Sequence, residues 1–225
     1  MATADRGVRW GHRIGRFLAH GLWSTSVVGA QHVPAEGPVV LAANHTGVID
    51  GPLVVGVSPR PARMLVKEAA FRGVVGTILR RTGQIPVDAT GRSALAAALE
   101  VLRGGGVVGI FPEGSRGRGD LSSARAGAAW LALGSGATIV PVAVLGTRRT
   151  GEGVNHVPGP RRRLHVEFGP GLTVERRPGT SGRVALEEAN EAVRVALADV
   201  VTRATRRTGV PLPADGPTTM GAAGS

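Results

Sequence analysis

A histidine and an aspartate lie five positions apart, directly after an apolar run at residues 39–43 that is typical of a buried strand. A neutral imidazole can take a proton from an alcohol, and a carboxylate on its other ring nitrogen would fix the tautomer and stabilise the imidazolium. On one helix His45 and Asp50 would point about 140° apart, so they can meet only where a strand turns into a helix. Gly47 permits such a turn. The alternative is that His45 is a structural loop histidine and Asp50 only a helix cap.

A second polar cluster follows the apolar run at residues 107–111, which also predicts a buried strand. Residues 112–120 combine carboxylates, a hydroxyl and two guanidinium groups with several glycines. Open α/β sheets bind ligands at the carboxyl ends of their strands. Arginine is the side chain best shaped to grip a phosphate with two hydrogen bonds. The cluster therefore indicates an anion site, and the alternative is a solvated surface turn with ordinary charges.

In combination the two segments resemble the glycerophospholipid acyltransferase family, in particular its bacterial 1-acylglycerol-3-phosphate acyltransferases. The resemblance covers roughly residues 30–150, in which four motifs of the family follow one another in the expected order. They are the stretch from Asn44 to Asp50 and residues 83–88, 111–116 and 140–143. The second motif often carries an arginine directly after its aspartate, whereas this chain has no arginine between Asp88 and Arg92.

The resemblance implies a role for the residues of these motifs. His45 would be the general base on the acceptor hydroxyl and Asp50 would orient it, so that the acceptor oxygen attacks the thioester directly. The implied substrate-binding residues are Lys67, Glu113, Gly114, Ser115 and Arg116, with Arg116 the best candidate for the acceptor phosphate. Arg92 could reach that phosphate in place of the missing arginine of the second motif. Lys67 and Arg92 also have ordinary alternatives, as a lysine at a helix start and a solvated arginine.

The function implied is transfer of a fatty acyl group from acyl-CoA or acyl carrier protein to the free hydroxyl of 1-acylglycerol 3-phosphate, giving phosphatidic acid. Neither a metal nor another cofactor is expected. Two alternatives stay open: transfer to another acceptor, such as glycerol 3-phosphate or a different lysolipid, or a catalytically silent module that binds lipid or nucleic acid.

The composition limits the number of domains, the reaction intermediates and the partners that this chain can have. A chain of 225 residues with 42% hydrophobic content fits one globular domain, and the lack of cysteine excludes a cysteinyl thioester intermediate. The net charge of +11 favours anionic partners such as lipid headgroups or a phosphorylated donor. Aromatic residues make up only 3% of the chain, which leaves few platforms for base stacking, so we expect no nucleic acid partner.

The N-terminal segment has a helical pattern at residues 8–23. One face carries Trp10, Ile14, Phe17, Leu18 and Leu22, and the other carries Arg6, Arg9, Arg13, Arg16 and His20. It has no apolar run of the length that spans a membrane, nor a convincing signal-peptide cleavage site. The helix is predicted either to dock on a membrane surface or to pack on the domain by its apolar face. Docking would make the protein peripheral, at the cytoplasmic face of a membrane.

Strands and helices are predicted to alternate after residue 38. The strand candidates are residues 38–43, 63–67, 84–87, 106–111, 137–146 and 163–168, and the helix candidates are 51–57, 69–82, 92–103, 122–134 and 183–206. Such alternation favours a single-domain α/β sandwich with a mostly parallel or mixed sheet flanked by helices. We divide the chain into an N-terminal amphipathic helix at residues 1–29, the main domain at residues 30–207 and a disordered tail at residues 208–225. Most remaining arginines, including Arg118, Arg148, Arg149 and residues 161–163, are expected to be solvated or to face a membrane.

Overall fold

A computed structural model describes residues 2–114, 116, 118, 119 and 126–216, with side chains from residue 6 onward. Its described part contains one sheet of seven strands in the order β1-β7-β6-β2-β5-β3-β4. The strands are β1 (Ser24–Val28), β2 (Val39–Ala43), β3 (Ala62–Lys67), β4 (Ile85–Val87), β5 (Val107–Ile110), β6 (Thr138–Leu145) and β7 (Arg163–Phe168). Every neighbouring pair is parallel except β6 and β7, which are antiparallel. The predicted mixed α/β fold is therefore confirmed.

Helices cover both faces of this sheet. They are α1 (Ala2–Phe17), α2 (Asp50–Val57), α3 (Gly73–Arg81), α4 (Arg92–Arg103), α5 (Gly127–Ser135) and α6 (Gly182–Thr208). Successive residues of a strand point to opposite faces, so Leu41 packs in the cluster with α2, and Val40 packs in the cluster with α4 and α5. Strand β2 is buried on both sides, which explains why its sequence is a continuous apolar run.

Strand β1 has no counterpart among the predicted strands. Its residues alternate between exposed and half-buried, and three of the five are Ser or Thr. The segment therefore has no apolar run from which a strand could be predicted. It pairs with β7 at the edge of the sheet. The sheet therefore begins inside residues 1–29, the stretch assigned from sequence to the N-terminal helix.

The predicted helices need two adjustments. The candidate at residues 69–82 is a short 3₁₀ turn, Glu68–Ala70, followed by α3. The candidate at residues 122–134 corresponds to α5, and the start of that prediction lies outside the described residues.

Helix α1 packs on the domain by a face of small residues. It contacts α2 and α3, and a β-carbon added to Gly15 would lie only 2.8 Å from the Cα of Gly56 in α2. The helix ends at Phe17 and is followed by a π-helical turn, Leu18–Leu22, whose leucines pack against the main core. None of the helices in the described part of the chain is both long and apolar enough to cross a membrane.

The outer face of α1 combines aromatic and basic side chains. Trp10 is 46% exposed and Phe17 is 69% exposed. They share this side with four exposed arginines, Arg6, Arg9, Arg13 and Arg16. The sequence predicted the five apolar side chains on one face of the helix and the basic side chains on the other, and this is wrong. Two of the five apolar side chains face outward with the charges, and glycines make the closest contacts with the domain.

The segment that follows α6 contacts the domain, contrary to the disorder predicted from residue 208. Val210 and Leu212 pack against the apolar cluster under α6. The Asp215 carboxylate accepts hydrogen bonds from the Arg148 side chain and from the backbone N–H of Gly151. Residues 217–225, the rest of the predicted tail, lie outside the described residues.

Candidate functional site

Three neighbouring parallel strands, β6, β2 and β5, end at the same edge of the sheet. Each is followed by a loop that carries polar side chains, with His45 after β2, Glu113 after β5 and Thr147 after β6. Such an edge is where open α/β folds bind their ligands. The first two loops are the ones whose residues we singled out from the sequence.

His45 and Asp50 meet as predicted where β2 turns into α2. The imidazole Nδ1 lies 2.9 Å from Asp50 Oδ2, and the side chain of Asp50 is fully buried. The same oxygen accepts the backbone N–H groups of Thr46 at 2.7 Å and Gly47 at 2.8 Å. A carboxylate acceptor on Nδ1 places the ring proton there, which leaves Nε2 as the basic nitrogen. With 14% of its side chain exposed, His45 can meet a substrate hydroxyl.

Two residues of the loop after β5 hold His45 in place. The Phe111 ring stacks on the imidazole with the ring centroids 3.9 Å apart and the planes 10° from parallel. The buried Glu113 carboxylate accepts the backbone N–H of His45 at 3.1 Å. Glu113, which we expected beside the substrate, thus joins the two loops to each other.

Two further residues fix this loop to the strand end on its other side. Asn44 is fully buried and exchanges two hydrogen bonds with the backbone of Val144 in β6. The hydroxyl of Thr46 lies 3.0 Å from that of Thr147. The sequence indicated Asn44 only as part of a motif and did not indicate Thr147. The reason is that Asn44 and Val144 lie 100 positions apart in the chain, and Thr46 and Thr147 lie 101 apart.

Arg116 lies in the same site with its side chain half-buried. Its Nη1 donates a hydrogen bond of 2.6 Å to Oδ1 of Asn155. Its Nε is buried and has no hydrogen-bond partner in the described part of the chain. Burial lowers the pKa of Arg116, while the nearby Asp50 carboxylate acts in the opposite direction. A guanidinium stays charged through such a shift, so the site offers a partly desolvated cation close to the His45–Asp50 pair.

The remaining predicted site residues are spread along this edge of the sheet. Gly114 is exposed and has a φ of 69°, a left-handed conformation that suits glycine in a tight turn. Ser115 lies outside the described residues. Lys67 ends β3 and Arg92 begins α4, beyond β5, and both are exposed. Neither side chain forms a hydrogen bond or ion pair with His45, Asp50 or the described residues of the loop after β5.

The prediction that the other arginines are solvated is wrong for two of them. Arg148 is only 1% exposed, and it donates hydrogen bonds to the backbone carbonyls of Glu152 and Asp215. Arg162 makes a bidentate pair with the Glu152 carboxylate at 2.9 and 2.8 Å. These arginines hold the loop between β6 and β7, so their charge is structural. Their acidic partners were not identified from the sequence.

Comparison with known proteins bears on the same part of the chain. A family model described as Acyltransferase matches residues 24–145, which run from β1 to the end of β6 and include both loops. Two curated proteins named 1-acyl-sn-glycerol-3-phosphate acyltransferase also match. The one from Borreliella burgdorferi is 34% identical over 127 residues, which are 54% of this chain and 51% of that protein. The one from Bacillus subtilis is 32% identical over 124 residues, which are 53% of this chain and 62% of that protein.

The matched segments of this chain thus span only about half to three fifths of these curated relatives, 51% and 62% of their lengths. A crystal structure described as the 1-acyl-sn-glycerophosphate acyltransferase PlsC from Thermotoga maritima is similar over 87% of this chain and 80% of that one. The TM-score is 0.67 and the sequence identity is 19%, so this likeness concerns the fold alone.

Proposed function

The chain belongs to the acyltransferase family, and on that premise we propose that it transfers a fatty acyl group from a thioester to the free hydroxyl of 1-acylglycerol 3-phosphate. The observation that carries the proposal is the 2.9 Å contact between His45 and the fully buried Asp50, with the Arg116 guanidinium nearby. A silent binding module would not need a base and its orienting carboxylate. The relatives named for this reaction support the choice of acceptor.

The His45 imidazole would take the proton of the acceptor hydroxyl on Nε2 as the oxygen attacks the thioester carbonyl. Asp50 would hold the Nδ1 tautomer and stabilise the imidazolium that forms. The C–S bond would then break, and the leaving thiolate would take the proton from the His45 imidazolium, which returns His45 to its neutral form. The acceptor supplies the nucleophile, which agrees with a chain that contains no cysteine.

Arg116 would bind the acceptor phosphate. A guanidinium presents two parallel donors to a phosphate, and this one already has a buried Nε with no partner in the described region. Lys67 and Arg92, at the same edge of the sheet, would add positive charge on the side of β3 and α4. Gly114 would shape the turn before Arg116, and Ser115 stays a proposed substrate-binding residue.

The donor would be acyl-CoA or an acyl carrier protein, and we propose that no metal or further cofactor takes part. The thiol of either donor is a good leaving group that needs little acid assistance. The net charge of +11 favours both donors, since one carries phosphates and the other is an acidic protein.

We further propose that the outer face of α1 binds the membrane surface at its cytoplasmic side. Exposed Trp10 and Phe17 would enter the headgroup region, and the four exposed arginines would each contribute about 1 kcal/mol of attraction to anionic lipid. The protein would then be peripheral and would meet its insoluble acceptor without spanning the bilayer.

The test is an assay of the purified protein with 1-acylglycerol 3-phosphate and each thioester donor in turn, with His45→Ala as the matched control. Transfer by the wild type that His45→Ala loses would support the proposal. Efficient transfer to glycerol 3-phosphate alone would show that this compound, and not 1-acylglycerol 3-phosphate, is the acceptor. Lack of transfer from every donor would refute the proposed activity.

A further inference from the structure

The contact between Arg116 and Asn155 joins two parts of the chain that are 39 positions apart. Arg116 lies within the stretch matched by the family model, whereas Asn155 lies after its end at residue 145. Asn155 belongs to the loop between β6 and β7, residues 146–162, which we call the β6–β7 loop. A side chain from outside the matched stretch thus contacts the phosphate-binding arginine proposed above.

The β6–β7 loop is held firmly three residues before Asn155. The Glu152 carboxylate receives both Nη groups of Arg162 and the backbone N–H of Arg149, and its backbone carbonyl accepts a hydrogen bond from the buried Arg148. A separate backbone turn encloses Asn155, in which the His156 N–H donates a hydrogen bond to the Gly153 carbonyl. Hydrogen bonds inside the loop thus hold the residues around Asn155, and the exposed side chain of Asn155 bonds Arg116 from this turn.

The chemistry of the Asn155 side chain matters as much as its place. Its amide oxygen accepts a hydrogen bond from the Arg116 Nη1 and so restrains the guanidinium, but it carries no charge. A carboxylate in its place would neutralise the cation and compete with a phosphate. The amide orients the arginine and leaves its full charge for an anion.

We propose that Asn155 is a positioning residue that sets Arg116 for recognition of the acceptor phosphate. The inference rests on the proposed function, because it assumes a phosphorylated acceptor at Arg116. It predicts that Asn155 contributes to selectivity for the phosphate group and has little effect on proton transfer by His45.

The first experiment compares two acceptors, 1-acylglycerol 3-phosphate and 1-acylglycerol without phosphate, with a saturating thioester donor. Asn155→Ala should lower kcat/KM for the phosphorylated acceptor about tenfold, the usual effect of losing a hydrogen bond to a charged group. It should leave kcat/KM for the unphosphorylated acceptor unchanged. The matched control is Val157→Ala, a change in the same loop at a side chain that is 60% exposed, and it should alter neither value.

The second experiment asks whether Asn155 acts through Arg116. In an Arg116→Ala background, Asn155→Ala should cause no further loss, since the arginine that it positions is already gone. Additive losses in the double variant would overturn the proposal. Equal losses with both acceptors would also overturn it, because they would indicate a general structural role.

A third variant, Asn155→Asp, keeps the shape of the side chain and the hydrogen bond but adds a negative charge. It should fold as the wild type does, by circular dichroism and Tm, and yet raise the KM for the phosphorylated acceptor at least as much as Asn155→Ala. Wild-type KM in this variant would overturn the proposal even if Asn155→Ala failed to fold. A wild type without phosphate preference would refute the proposed acceptor instead, and the inference with it.

Discussion

Two loops of the site are built in different ways. In the base loop, residues 44–50, the Asp50 carboxylate accepts its hydrogen bonds from groups only three to five positions earlier in the chain. In the acceptor loop, residues 111–119, the side chains of Glu113 and Arg116 bond to residues 68 and 39 positions away. The contact between His45 and Asp50 is thus made within one short segment, although Glu113 and Phe111 also hold His45 from the other loop. The contact of Arg116 with Asn155, at the proposed phosphate site, joins residues 39 positions apart and depends on the tertiary fold alone.

The largest effect should follow from changes in the base loop. His45→Ala should reduce kcat about 10²- to 10⁴-fold, the range typical of general-base catalysis. Asp50→Asn should lose most of the activity as well, because an amide can hold the imidazole in the wrong tautomer. Turnover is measured by release of free thiol from the donor in the presence of the acceptor, and circular dichroism checks the fold. Near-native turnover in a folded His45→Ala variant would contradict the mechanism.

A change of Arg116 should affect the acceptor and spare the donor. Arg116→Ala should raise the acceptor KM about 10- to 100-fold, from the loss of charge-assisted hydrogen bonds to phosphate. Arg116→Lys should recover only part of this, since an ammonium group cannot reproduce the two parallel donors. Steady-state kinetics in which each substrate is varied separately would decide. An effect confined to the donor KM would show that Arg116 does not bind the acceptor.

A third change tests a surface outside both loops. The double variant Trp10→Ala, Phe17→Ala should weaken co-sedimentation with anionic vesicles about tenfold, from the loss of apolar burial. The variant should transfer acyl groups to a detergent-dispersed acceptor as fast as the wild type does. Vesicle binding of the wild type should weaken as salt is added. If the variant sediments as the wild type does, the membrane contact lies elsewhere on the protein.

The smallest effect concerns Glu152, which anchors the loop that reaches Arg116. Burial raises the pKa of Glu152, but hydrogen bonds from Arg162 and from the Arg149 backbone outweigh it, and the pKa is lowered overall. A lowered pKa in the folded state stabilises the fold above the ordinary value of 4.5, and this stabilisation is lost as the pH falls below it. Glu152→Gln should therefore lower the free energy of unfolding by about 1 kcal/mol at pH 7.

Urea unfolding of both proteins at pH 7 and in acid would check this expectation. The difference between wild type and Glu152→Gln should shrink as the pH falls through the carboxyl pKa. A difference of the same size at both pH values would mean that the charge of Glu152 does not stabilise the loop.

The sequence was informative where the determining contacts are short in range. The buried strands β2, β5 and β6 form continuous apolar runs, and each was predicted to within two residues at either end. The His45–Asp50 pair followed from its spacing and from the glycine between its members. Both predictions need only a handful of consecutive residues.

The other features depend on partners that are distant in the chain. The buried Arg148 bonds to Asp215, which is 67 positions away, whereas a basic residue beside other basic residues is usually solvated. Strand β1 is half-polar and exists because β7 lies beside it. The support that Asn155 gives to Arg116 has no local signature at all.

The glycine contact between α1 and α2 has a mechanical consequence. Backbone meets backbone where Gly15 faces Gly56, so no side chain can yield between the two helices. Gly56 lies six residues after Asp50 in the same helix, roughly 9 Å along its axis. If α1 rests on lipid, the carboxylate of Asp50 is held at a constant height above the bilayer. In the proposed reaction the acceptor hydroxyl must then rise to that height. The distance by which a lipid can be lifted from its leaflet would therefore limit which lipids could serve as acceptors.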